Sequence, residues 1–428
     1  MLDRTVAPPV QPLASVKLPA ADVFSLPNGA RLHVMRNDAQ PVVRLQVVFN
    51  AGKWYEPAPG VSLLTARMLL EGTRTRTARQ IADEIAFYGA SLECDQGFDR
   101  ATLTLYCLTR HLGKLLPLVL DVLTEPTFPE AELTQLKTRT VQNVRVERQK
   151  TSYLAAEQFS SNLFGATYPY GVKFDETAFQ RVTTEQVRHF HQQAYTFAGA
   201  ELFLCGDVSP VQDALVQDML GAVPAISGGI EAVAPALPAS APAQDYVPVE
   251  GSLQASLRIG RLWPALNHPQ THELQVLTKV LGGYFGSRLM KNIREDKGLT
   301  YGIYSSIGPR EQATSFVIGS DVNAASAGAA IREVHHELRR LQEELVPEGE
   351  LQTVKNYMAG KFANELSTVF EQCDKYKNLV FYHLPTTYYS EFISQVQAVS
   401  ASTLRELAQQ YLAPEDMIEV VAGPGQHA

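Results

Sequence analysis

Phe128-Pro129-Glu130-Ala131-Glu132-Leu133 and Val346-Pro347-Glu348-Gly349-Glu350-Leu351 lie 218 positions apart and share a Pro-Glu-x-Glu-Leu pattern. Lys137 and Lys355 keep the same spacing. Further along, a second block matches at 217: Gln180 falls on Gln397, Val182 on Val399, Gln192 and Gln193 on Gln409 and Gln410, and Gly206 on Gly423. Apolar positions also fall on apolar ones, with Val187 on Leu404, Phe190 on Leu407, Phe203 on Val420 and Leu204 on Val421. Two blocks at nearly one offset describe a chain written twice. Solenoid units repeat every 20–50 residues or so, so this period belongs to a duplicated domain of roughly 210 residues.

The 428 residues are 45% hydrophobic and 19% charged, the balance of a soluble globular protein. A net charge of −8 with no basic stripe argues against nucleic acid as a partner. Cys94, Cys107, Cys205 and Cys373 are far apart and lack zinc-site spacing. They read as buried small hydrophobes in a reducing compartment. The N-terminus has no apolar leader, and no stretch of 18 apolar residues offers a membrane span. Cytoplasm is therefore the expected compartment, with periplasm the alternative if a leader is removed.

Residues 1–24 are rich in Pro and Ala and read as an extended segment. Residues 26–34 read as strand, Asn28-Gly29 turn and strand. Strand patterns follow at 42–49, 92–94, 101–108 and 200–205, and helical spacing at 60–70, 77–88, 112–123, 130–148 and 183–195. Gly89 suits the position after a helix end, and Thr183 or Thr184 an N-cap. An Ala/Pro-rich stretch, 225–246, reads as a linker. Beyond it, strands are expected at 252–260, 301–307, 315–321 and 417–422. Helices are expected at 271–281, 287–295, 329–344, 349–367 and 401–411. The predicted fold class is α+β: two homologous domains, 25–224 and 247–428, each an antiparallel-rich mixed sheet with helices mainly on one face.

The segment from Ser287 to Tyr301 carries the sharpest chemical signal. Gly282, Gly283 and Gly286 precede a helix, Gly298 stops it, and a strand starts near Tyr301. Arg294 and Tyr301 flank that corner. A guanidinium and a phenol can both donate to a carbonyl oxygen, and preorganised donors stabilise an oxyanion. Taken alone, the same residues also read as a structural Arg and a partly buried Tyr.

Nearly the whole chain, from about Asp22, resembles the insulinase/pitrilysin/mitochondrial-processing-peptidase family of zinc peptidases. The resemblance rests on several stretches together: Leu26-Pro27-Asn28-Gly29, Ala51-Gly52 with Glu56, Glu71-Gly72-Thr73, Gly206-Asp207-Val208 and the Arg294…Tyr301 segment. It implies an inverted zinc motif, His-x-x-Glu-His, on the first long helix, with a distal Glu. Two His four apart share a helix face and a metal, and the Glu activates the bound water. Here Leu63, Ala66 and Arg67 stand at those three places, and Asn143 at the distal one. No His lies between His33 and His111, so no shift of register restores the set. Glu93-Cys94 also stands where the family tends to carry Asn-Ala on a substrate-binding edge strand.

The resemblance is to the zinc-less subunit type, which keeps the Arg/Tyr pair. It implies no cofactor on this chain, with zinc on a homologous partner subunit, and peptide or unfolded polypeptide as substrate. It also implies assisting roles in trans for Arg294 and Tyr301, and substrate contact at Gly282, Gly283 and Gly286. Alternatives are a peptide-binding or assembly protein without a proteolytic role, a homodimer in isolation, and an enzyme with unconventional ligands. His268 and His272, four apart beside Glu273, lack a third ligand. His189/His191 and His335/His336 cannot share one helix face and read as surface or core residues. The glycines lack the Lys-Ser/Thr of a phosphate loop. Residues 337–344 read as a solvated helix face.

Overall fold

A computed structural model describes residues 15, 18–224, 230, 235–237 and 241–424. In the first copy, β1 (Asp22–Ser25) and β2 (Arg31–Arg36) form an antiparallel hairpin. Its turn uses Gly29 at φ 87, a conformation that suits glycine. With β3 (Val42–Phe49), β4 (Ser91–Gln96), β5 (Ala101–Leu108) and β6 (Glu201–Gly206) they make a six-stranded sheet ordered β1-β2-β6-β3-β5-β4. Only β2 and β6 pair in parallel. Strand β6 is buried along its full length, as a central strand covered on both faces must be.

Eight helices accompany this sheet among the described residues: α1 (Val61–Met68), α2 (Ala78–Phe87), α3 (Leu112–Thr124), α4 (Glu130–Glu147), α5 (Thr151–Phe164), α6 (Glu176–Arg181), α7 (Thr184–Ala194) and α8 (Pro210–Gly221). A capping box at Thr77 and Gln80 opens α2, and Gly89 at φ 59 follows its end. The core joins β3 and β5 residues such as Val47 and Leu103 to Leu64 of α1 and Leu116 of α3.

The second copy runs β7 (Ala243–Pro248), β8 (Gln254–Trp263), α9 (Thr271–Gly282), a π-helical segment (Met290–Asp296), β9 (Thr300–Pro309) and β10 (Thr314–Asn323). It continues with α10 (Ala327–Glu343), α11 (Glu348–Asn364), α12 (Val369–Phe381), α13 (Tyr388–Ala398), α14 (Ala401–Tyr411) and β11 (Ile418–Gly423). The duplication persists to single bonds. Strand β6 pairs in parallel with β2 and antiparallel with β3, as β11 does with β7 and β8. Lys137 Nζ donates to the Gln180 carbonyl at 3.1 Å, and Lys355 Nζ to the Gln397 carbonyl at 2.9 Å. Thr183 caps α7 and Ser400 caps α14.

The described residues fall into two compact units. One holds β1 through β8, residues Arg310–Ala313 and β11; the other holds α9 through α14 with β9 and β10. The α+β expectation holds, with two sheets and their helices. Several local readings change. The helix expected at 287–295 is π-helical from Met290 to Asp296. The helix expected to 367 stops at Asn364, and α12 starts separately behind a capping box at Thr368 and Glu371. The extended N-terminal segment lies mostly outside the described residues, and Asp22–Phe24 belong to β1. Much of 225–246 is also outside them, and from Ala243 the chain is strand β7.

Candidate functional site

The Arg294–Tyr301 corner is held by what surrounds it. Met290 and Ile293 are buried, and the Ile303 N–H contacts Met290 Sδ at 3.5 Å. The π-turn is marked by Lys297 N donating to Asn292 O at 3.1 Å, five residues back. Asn292 Nδ2 donates to Glu337 Oε1 at 2.7 Å and Glu333 Oε2 at 3.1 Å, tying the segment to α10. Glu337 is 1% exposed and also accepts from Arg340 Nη1 at 3.1 Å. The expected solvated face at 337–344 is therefore corrected at its first residue. A carboxylate this buried needs partners, and Asn292 and Arg340 supply them. Arg288 adds a two-bond clamp to Glu350 on α11, at 2.9 and 3.1 Å.

The other side of the corner is a β-bulge. Pairing between β9 and β10 jumps from Ile303↔Ser320 to Thr300↔Val322, so Tyr301 and Gly302 together face Asp321. Bulges at sheet edges re-aim side chains, and β9 is the terminal strand of its sheet. Thr300 Oγ1 donates to Asp321 O at 2.7 Å and pins the strand start. Tyr301 is 95% exposed, which corrects the partly buried alternative. Among the described residues its hydroxyl has no hydrogen bond. Arg294 is half-buried, with Cζ 4.5 Å from the Phe285 ring centroid, and has no ion pair among the described residues. Both side chains thus keep their donors free. Phe285, the ring beneath the Arg294 guanidinium, is itself exposed.

The glycines divide. Gly282 is buried at the end of α9, where an added Cβ would meet Ser305 N at 2.6 Å, so its lack of a side chain is required by helix-to-strand packing. Gly283 and Gly286 are half-buried, and the Gly283 carbonyl accepts from Lys279 Nζ at 3.2 Å.

In the first copy, α1 carries the positions where zinc ligands would stand. Leu63 is half-buried, Ala66 is fully buried, and Arg67 is exposed, as is Asn143 on α4. Glu56 does not replace them. Its Oε2 accepts from Gly60 N at 3.0 Å and from Ser62 Oγ at 2.7 Å, capping α1, and burial holds its carboxyl above the usual range. A donor set of leucine, alanine, arginine and amide does not fit a dication. Among the described residues no group of three His, Cys, Asp or Glu could hold a metal.

Remaining candidates have other work. His272 lies against Tyr388 and Phe392, with ring centroids at 4.7 and 5.5 Å, and burial lowers its pKa to about 4. His191 is buried and bonded to Leu123 O at 2.9 Å. All four cysteines are buried thiols outside any disulfide. Burial pushes the Cys94 and Cys107 thiols up to about 12, away from reactive thiolate. Glu93 is exposed on β4, a terminal strand of the first sheet.

Comparison with known proteins places the chain in a family. The model for insulinase (peptidase family M16) matches residues 32–170, and that for the peptidase M16 inactive domain matches 181–358. The crystal structure of a peptidase M16 inactive domain from Pseudomonas fluorescens superposes with a TM-score of 0.87 at 26% identity, covering 95% of this chain and 98% of that one. An uncharacterized zinc protease, YmxG of Bacillus subtilis, is 23% identical over 94% of this chain and 98% of its own length. The non-peptidase homolog YmxG of Helicobacter pylori is 21% identical over 84% of this chain and 83% of its own length. The chain belongs to the insulinase (M16) peptidase family. No helix among the described residues is long and apolar enough to cross a membrane.

Proposed function

We propose that this chain is the zinc-less subunit of a two-chain peptidase, working with a homologous partner that carries the metal. One contrast carries the reading. The ligand positions hold Leu63, Ala66, Arg67 and Asn143, while Arg294 and Tyr301 keep unpaired donors beside a free strand edge. A peptide added along β9 would gain main-chain hydrogen bonds there. Tyr301 would then donate to the developing oxyanion and Arg294 to a neighbouring peptide carbonyl. Bond cleavage itself belongs to the partner.

The test mixes the purified chain with its zinc-bearing homologue and follows cleavage of an unfolded polypeptide. Arg294→Ala and Tyr301→Phe should still co-elute with the partner, and each should lower turnover by about 10²–10³. Undiminished turnover in both variants rejects the role. The non-peptidase name of the Helicobacter pylori relative favours a second reading, peptide binding or assembly without proteolysis. Under that reading, mixing leaves the partner's turnover unchanged while peptide is still retained.

A further inference from the structure

The duplication allows cavities in the two copies to be compared position by position. In the first copy Glu157, Ser160, Tyr170 and Phe174 line a cavity of about 350 Å³. Displaced by 218, these become Lys375, Asn378, Tyr388 and Phe392, which line a cavity of about 370 Å³ among α9, α11, α12, α13 and β9. The same cavity has been built twice, and its charge has been reversed. The first is lined by two lysines and three carboxylates (Lys53, Lys173; Glu56, Glu157, Asp175), a net of −1. The second is lined by three lysines, Lys279, Lys361 and Lys375, and one carboxylate, Glu365, a net of +2.

That single carboxylate is already engaged. Glu365 pairs with Lys375 at 2.6 Å and with Lys361 at 3.7 Å. Lys279 is left with the Gly283 carbonyl at 3.2 Å and no carboxylate partner among the described residues. Burial, and then the like charge of Lys361, lower its pKa. Glu365 offsets these effects only in part and from beyond ion-pair distance; a partly buried ammonium with no carboxylate in contact is costly, and an anion entering the cavity would relieve it. Buried Phe362 and Phe392, with ring centroids 4.6 Å apart, and Tyr389 beside Phe362 at 5.8 Å give the cavity an aromatic wall. Small-ligand sites combine such a wall with a few placed charges.

We propose that this cavity binds a carboxylate carried on an apolar or aromatic body. Lys279 is its counter-ion, and the aromatic wall takes the body. The C-terminal residue of a peptide and a free aromatic acid share this chemistry. Calorimetric titration of the full chain at low salt tests it with four probes: N-acetyl-phenylalanine, its amide, acetyl-Ala-Ala-Phe as the free acid, and phenylpropanoate.

The acid should bind at least about tenfold tighter than the amide, the difference one well-placed charge supplies. Lys279→Met should bring the acid down to the amide's affinity while leaving the amide's affinity unchanged and without lowering the melting temperature, since a costly partly buried charge is removed. The tripeptide acid binding tighter than phenylpropanoate would identify a peptide C-terminus as the source, and the reverse order a free aromatic acid. Equal affinity for acid and amide in the unaltered protein, or no heat from any probe at millimolar concentration, overturns the proposal. The outcome is independent of whether Arg294 and Tyr301 assist a partner.

Discussion

His191 should make this protein lose stability on mild acidification. The ring is 9% exposed, stacked on Tyr195 at 5.2 Å and edge-on to Phe128 at 5.3 Å. Its Nε2 bonds the Leu123 carbonyl at 2.9 Å, so Nε2 carries the proton of a neutral ring. Burial lowers its pKa to about 4, against about 6.5 in the unfolded chain. Because the folded value is depressed, the unfolded state binds the extra proton first. The stability is fully present above pH 6.5 and is lost as pH falls towards 4. Between pH 7 and pH 5 the linkage amounts to about 2 kcal/mol. Urea unfolding at the two pH values, compared between the unaltered chain and His191→Phe, isolates this contribution. The variant should start lower by about 1 kcal/mol, because Leu123 O loses its donor. It should then lose about 2 kcal/mol less on acidification. Parallel pH dependence in the two proteins would refute the reasoning.

Two further outcomes follow from packing. Gly282→Ala should destabilise the chain by about 1–3 kcal/mol despite alanine's better helix propensity. The clash at 2.6 Å is with the Ser305 backbone nitrogen, which cannot swing aside, and an equal or higher urea midpoint would contradict this packing role. Lys355→Met should cost about 1–3 kcal/mol in the same assay, since Lys355 is 6% exposed and its bond to Gln397 O is charge-assisted. No loss would show that the bond contributes nothing.

What the sequence made legible depended on where each signal was local. Strand β3 and helix α14 have the bounds their patterns predict, 42–49 and 401–411, because the β-branched apolar run of the one and the helical spacing of the other are complete within their own lengths. Helix α5 carried no reading: Ser and Thr interrupt its apolar spacing, and it is supported instead by packing on β11, far along the chain. Helix α12 carries no sequence reading, because the helix expected over 349–367 runs up to the residue before its Thr368 cap and leaves no visible break. Strand β7 is exposed or half-buried throughout, so it lacks an apolar alternation, and only its pairing with β11 defines it.

At the candidate site, the residue types and the lost ligands were visible in the sequence. The π-turn, the bulge under Tyr301 and the buried Glu337 were not. Each arises from non-local partners: β10 for the bulge, α10 for the turn.

The central claim is that α1 and α4 present nothing able to hold a catalytic metal. Elemental analysis of the purified chain after dialysis against dilute zinc, with casein digestion run alongside, tests it most directly. The account predicts substoichiometric zinc and no chelator-sensitive digestion by the chain alone. One zinc per chain lost on substituting Arg67 or Asn143, together with casein cleavage that a chelator stops, would contradict it.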